Sequence, residues 1–83
     1  MAFTPLFTTR FLRDIKPLNR RSREELDRAV ARILENPESG KPLSYHFKGC
    51  RAERFGKFRV VYRVSVDEVI FLAFGHRKSV YRR

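Results

Sequence analysis

Read by the spacing of its apolar positions, the chain divides into a strand, two helices and a run of three strands. Residues Ala2 to Phe7 form a short apolar stretch, and either Thr8 or Thr9 can cap the next helix by accepting from its free backbone N–H groups. That helix carries Phe7, Phe11, Ile15 and Leu18 at helical spacing, and Pro17 ends it near Lys16. In the second helix Ser22 and Glu25 read as a capping box. Leu26, Ala29, Val30, Ile33 and Leu34 make its buried stripe, and Asn36-Pro37 stops it. Its other face, with Arg23, Glu24, Asp27, Arg28 and Arg32, reads as solvated, with Glu24 and Arg28 spaced as an ion pair.

Glu38 to Gly49 has no clean period and reads as a connection, with a short extended piece around Leu43 to Phe47. Cys50 to Phe55, Phe58 to Val64 and Glu68 to Phe74 then read as strands, separated by turns at Gly56-Lys57 and Val66-Asp67. In the middle strand Phe58, Val60, Tyr62 and Val64 alternate with Arg59, Val61 and Arg63. One face is therefore apolar, and the other is mixed basic and open to a ligand. Val69 to Phe74 is apolar on both faces, as suits the centre of a sheet. The expected architecture is α+β: an N-terminal strand and a two-helix hairpin on a mainly antiparallel sheet with a C-terminal three-strand meander. At 83 residues there is room for one domain, 1–83, and for any site only on its surface.

Charge narrows the function. Nineteen Lys and Arg against nine Asp and Glu give a formal net charge of +10, which draws in phosphate backbones. Arginine dominates, and guanidinium grips phosphate with paired hydrogen bonds where ammonium acts as a point charge. No apolar run is long enough to span a membrane, and the N-terminus lacks the features of a signal peptide, so the cytoplasm is the expected compartment. The lone Cys50 cannot form an internal disulfide or hold zinc by itself.

No phosphate-binding loop, HExxH or paired Cys/His spacing occurs, so neither a metal nor a cofactor is expected. What remains is His76, Arg77, Lys78 and Tyr81, directly after the last strand and expected to approach Lys57 to Arg59. A basic pocket with an imidazole and a phenol suits RNA cleavage by the substrate's own 2′-hydroxyl. A base takes its proton, cations stabilise the phosphorane, and an acid protonates the leaving 5′-oxygen. His76 is one candidate acid or base and Tyr81 its rival. Each residue also has a plainer role: Arg59 and Arg63 as solvent-facing charges, His76 as a turn residue, Tyr81 as a ring packed on the sheet.

Phe11-Leu12-Arg13-Asp14-Ile15, Ile33-Leu34-Glu35-Asn36-Pro37, Lys48-Gly49, the block Gly56 to Val64 and the ending Gly75-His76-Arg77-Lys78-Ser79-Val80-Tyr81 together resemble the RelE/ParE toxin superfamily over nearly the whole chain. The ending is most similar to the ribosome-dependent mRNA endonucleases of the RelE type. The resemblance implies a toxin of a type II toxin-antitoxin system that cleaves mRNA in the ribosomal A site and inhibits translation. It also implies a RelB-like antitoxin partner and no DNA contact by the toxin alone. Arg59 matches the residue that holds the scissile phosphate, Arg77 the one that stabilises the transition state or assists the leaving group, and Tyr81 the one that orients or stacks the nucleotide. Lys48, Arg51, Arg54, Lys57, Arg63 and Lys78 are the expected RNA contacts. One departure is that Ala52 and Glu53 occupy a run that is often basic, which leaves the general base open. The alternatives are a ParE-type inhibitor of gyrase and a non-catalytic RNA-binding module.

Overall fold

The computed structural model describes residues 3–80. Its elements are β1 (Thr4–Phe7), α1 (Thr9–Ile15), α2 (Arg20–Glu35), a 3-10 turn (Pro37–Ser39), β2 (Lys41–Pro42), a second 3-10 turn (Tyr45–Phe47), β3 (Arg51–Phe55), β4 (Phe58–Ser65) and β5 (Glu68–His76). The strands form one sheet in the order β1-β5-β4-β3-β2, with β1 parallel to β5 and every other pair antiparallel. This is the expected α+β architecture, with the doubly apolar β5 inside the sheet.

Local chemistry corrects several details. Thr8 caps α1, accepting from the Phe11 N–H at 3.1 Å. The cap of α2 is Asn19 and not Ser22: its side-chain oxygen accepts the Ser22 N–H at 2.8 Å, so the helix starts ahead of the expected box. On its exposed face the ion pairs are Arg20–Glu24, Arg21–Glu25 and Arg23–Asp27 in place of Glu24–Arg28. The extended piece is Lys41–Pro42, whereas the stretch expected to extend, Leu43 to Phe47, turns back over the sheet.

The sheet is buried on both sides. Phe11, Ile15, Leu26 and Ile33 of the helices cover Val60, Tyr62, Val69, Phe71 and Phe74. On the far face Val61, Ala73 and Val80 form a second small core, joined by Leu43, Phe47, Cys50 and Leu72. Part of the face expected to be open is therefore covered. A β-bulge makes the switch possible: Val61 pairs with Ala73 but Tyr62 with Phe71, leaving Leu72 as the extra residue.

Two latches hold the frame. The buried Tyr62 hydroxyl donates to the Pro37 carbonyl at 2.7 Å and accepts from the Gly40 N–H at 3.0 Å, fastening the exit of α2 to β4. Past the end of β1, α1 takes over the edge of β5: the Thr8 hydroxyl donates to the Leu72 carbonyl at 3.0 Å, and Asp14 accepts the Phe74 N–H at 3.0 Å. Asp14 also holds Arg10 at 3.4 Å, and Arg10 donates to the Val80 carbonyl at 2.7 Å. The turn that follows β5 is thereby tied to the first helix. No helix among the described residues is long and apolar enough to cross a membrane.

Candidate nucleic-acid interface

Strand register decides which cations meet. Directly opposite residues of an antiparallel pair share a face. Arg54 lies opposite Arg59, and Arg59 opposite Gly75, all on the far face with Val61 and Ala73. Arg59 is half-buried and Arg54 exposed. With Ser39, Lys41, Ala52 and Glu53 they line a groove of about 400 Å³. It opens along the outer edge of β3, where the two-residue β2 reaches only Arg51 and Ala52, so that among the described residues Glu53 to Phe55 pair with β4 alone.

The turn after β5 reaches the same end of the sheet. The Arg77 N–H donates to the Lys57 carbonyl at 3.0 Å, which continues the pairing of Phe58 with His76 by one more step. The His76 carbonyl then accepts from the N–H groups of Ser79 and Val80, both at 2.9 Å, closing a tight turn. Val80 is buried against the far-face core. Arg77 and Lys78 are left exposed beside the Gly56-Lys57 turn, where the Lys57 ammonium lies 5.6 Å from the centre of the Phe58 ring. Of the cluster expected to approach Lys57 to Arg59, His76 to Lys78 do so, with His76 opposite Phe58 and Arg77 bonded to Lys57.

Four expected residues are placed elsewhere. His76 lies opposite Phe58 and meets its ring edge-on at 6.4 Å between centroids, so the imidazole is on the helix side, away from Arg59. Its Nδ1 accepts the Lys78 N–H at 3.1 Å, which makes it a turn residue. Arg51 lies opposite Tyr62, also on the helix side, and donates to the carbonyls of Gly40 at 2.7 Å and Glu38 at 3.1 Å. Arg63 is exposed on the far face but four residues from Arg59, roughly 13 Å along the strand. Lys48 is exposed just after the second 3-10 turn, its N–H donated to the Tyr45 carbonyl at 3.0 Å. Tyr81, along with Arg82 and Arg83, lies outside the described residues.

Register also accounts for the departure at Ala52 and Glu53. Glu53 lies opposite Val60 on the helix side, where it accepts from Arg32 of α2 at 3.5 Å and from the Ser39 hydroxyl at 3.4 Å. It anchors β3 to α2. Ala52, facing Val61, is the member of that run on the Arg59 face. The parts that sequence reasoning missed are Arg10 and Asp14, which fix the turn bearing Arg77. Their i, i+4 spacing was visible, but their partners on β5 and at Val80 were not.

Comparison with known proteins agrees with this geometry. A family model described as the ParE toxin of a type II toxin-antitoxin system, parDE, matches residues 5–81. Toxin RelG of Mycobacterium tuberculosis is 32% identical over 87 aligned positions that cover 100% of both chains. The toxin-antitoxin complex RelBE2 of the same organism contains a chain that superposes with a TM-score of 0.81 at 30% identity, over 93% of this chain and 100% of that one. The intact RelBE toxin-antitoxin complex of E. coli contains another, with a TM-score of 0.78 at 25% identity, over 90% of this chain and 96% of that one. YafQ of E. coli shares the fold, with a TM-score of 0.80 at 16% identity over 95% of this chain and 98% of that one. The match along nearly the whole chain, together with the helices on a five-stranded sheet, makes this protein a member of the RelE/ParE superfamily of type II toxin-antitoxin toxins.

Proposed function

We propose that this toxin is a ribosome-dependent mRNA endonuclease that arrests translation. The observation that carries the reading is the convergence of Arg54 and Arg59 from the sheet with Arg77 and Lys78 from the turn pinned to Lys57. Four guanidinium or ammonium groups at one end of a sheet suit a phosphate whose negative charge increases in the transition state. The 2′-oxygen attacks the adjacent phosphorus, the bond to the 5′-oxygen breaks, and a 2′,3′-cyclic phosphate and a free 5′-hydroxyl result. Arg59, the one half-buried member of the cluster, holds the phosphate; Arg77 stabilises the phosphorane; Arg54, Lys57 and Lys78 guide the strand. Tyr81, four residues after Arg77, orients the nucleotide and is the candidate for proton transfer, since His76 faces the helices.

A RelB-like antitoxin is the proposed cellular partner. The net charge of +10 and the toxin-antitoxin complexes formed by similar chains support it.

The test is cleavage of mRNA on programmed ribosomes, with the ends mapped chemically. Arg59→Ala and Arg77→Ala are each expected to slow cleavage by about 10²- to 10³-fold while circular dichroism is unchanged. Intact mRNA with the wild-type protein would sink the reading. The ParE description of the matching family model favours one alternative, inhibition of gyrase, which would appear instead as lost supercoiling activity with mRNA uncut.

A further inference from the structure

We infer that Tyr45 is a base-stacking residue that receives an unstacked nucleotide of the RNA beside the arginine cluster. The inference rests on the nuclease reading and names a substrate contact that the arginine cluster does not supply. Three observations carry it. The Tyr45 side chain is 92% exposed, although tyrosine is a large, mostly apolar residue. Its backbone has φ of 59°, a left-handed conformation that costs a non-glycine residue about 1 to 3 kcal/mol. Tyr45 is the second residue of the turn closed by the Phe47 N–H and the Ser44 carbonyl at 3.2 Å, so a large aromatic ring occupies a left-handed position that glycine or asparagine would fill at less cost.

The turn also stands in the right place. Leu43 and Phe47 on either side of Tyr45 pack onto Val61, Ala73 and Val80. Val61 shares the face of Arg59, and Val80 ends the turn that presents Arg77. Tyr45 is therefore held on the substrate side of the sheet by the same small core that fixes the cations. Lys41 and Lys48, both exposed, flank the turn in sequence, so its surroundings suit a polyanion and not an apolar partner. A phenol ring with a free face stacks on any base, and such contacts contribute to single-strand binding without reading sequence.

The experiment uses the full chain on ribosomes programmed with a short mRNA. That mRNA carries 2-aminopurine in the A-site codon and a 2′-deoxy sugar at the cut position, so that binding is seen without cleavage. Stacking quenches the fluorophore. Tyr45→Ala is expected to abolish the quench and raise Kd by about 5- to 150-fold, and Tyr45→Phe to restore both. Tyr45→Gly separates contact from fold: it relieves the positive φ, so thermal stability should hold or rise while binding weakens as in the alanine variant. Unchanged quench and Kd in Tyr45→Ala would overturn the inference, as would weakened binding that tracks lost stability across the three variants. Loss of antitoxin binding alone would also overturn it and make the ring a protein contact. Cleavage of unmodified mRNA is measured in parallel. Failure of the wild type to cleave counts against the nuclease reading, whereas cleavage that needs Arg59 and Arg77 but is indifferent to Tyr45 counts against stacking only.

Discussion

Tyr62 shows how one polar atom can organise a small fold. Its ring is fully buried, and its hydroxyl serves one carbonyl and one N–H of the segment leaving α2. Tyr62→Phe keeps the ring but strands the Pro37 carbonyl and the Gly40 N–H, and is expected to cost about 2 kcal/mol, read as a lower denaturant midpoint at constant slope. The pH dependence is distinctive. Burial, aided by the negative charge of Glu53, raises the Tyr62 pKa above its ordinary value. Because the folded chain then holds its proton where the unfolded chain releases it, this contribution is complete below pH of about 10 and falls as pH rises further. The phenylalanine variant lacks that fall, so the gap between the two proteins should narrow in alkaline urea titrations. Gly40 is part of the same latch: a Cβ there would run into the Tyr62 hydroxyl and stand 3.0 Å from the Ala52 carbonyl oxygen. Just past the C-terminal end of β4, Val66 has φ of 52° and is 95% exposed, a β-branched residue in a turn that favours Asn or Gly. Val66→Asn should raise stability by about 1 kcal/mol in thermal melts and leave RNA cleavage unchanged.

Among the elements, α1 does more than cover the core. Seven residues long, it supplies Thr8 and Asp14 to the edge of β5 and, through Arg10, holds the Val80 carbonyl. Arg10→Ala should therefore separate stability from activity. The ion pair it loses is partly exposed and worth under about 1 kcal/mol. The turn carrying Arg77 loses its anchor, and a misplaced transition-state group is expected to slow cleavage about tenfold or more. An equal rate for Arg10→Ala and wild type, at equal stability, would remove α1 from the account of activity. This is also the scale at which the limits of reading a sequence become physical. Apolar period located α2 and the three meander strands, and the alternation of Phe58, Val60 and Tyr62 identified the helix-facing side of β4. The same alternation pairs Arg51 with Glu53 and Ala52 with Arg54, but only the register with β4 shows which pair joins Arg59. His76 was assigned by its chemistry, yet one strand position puts its ring against Phe58. The Ser22/Glu25 spacing pointed to a cap at Ser22, but Asn19, three residues earlier, accepts the Ser22 N–H and starts the helix.

Over the whole molecule, the excess of positive charge is divided in two. On α2 Arg20, Arg21 and Arg23 are each drawn to a carboxylate four residues on. Around the far end of the sheet Arg54, Lys57, Arg59, Arg77 and Lys78 gather where the described carboxylate nearest in the groove, Glu53, is already engaged by Arg32 and Ser39. A net charge felt at long range would make every arginine equivalent, whereas a built phosphate site would not. Salt dependence distinguishes the two. For single strands, log K falls against log salt with a slope of about −0.7 per neutralised phosphate, so engagement of all five cations gives about −3.5. Raising salt from about 50 to 200 mM should then weaken binding of a single-stranded RNA by about 100-fold. Arg54→Ala should reduce the magnitude of the slope by about 0.7, whereas Arg21→Ala, which removes the same formal charge from the helix surface, should leave it unchanged. Equal changes in slope for the two variants would mean that the charge acts as a diffuse field. A difference confined to Arg54 would mean that the sheet end grips the backbone, as the geometry of Arg54 opposite Arg59 requires.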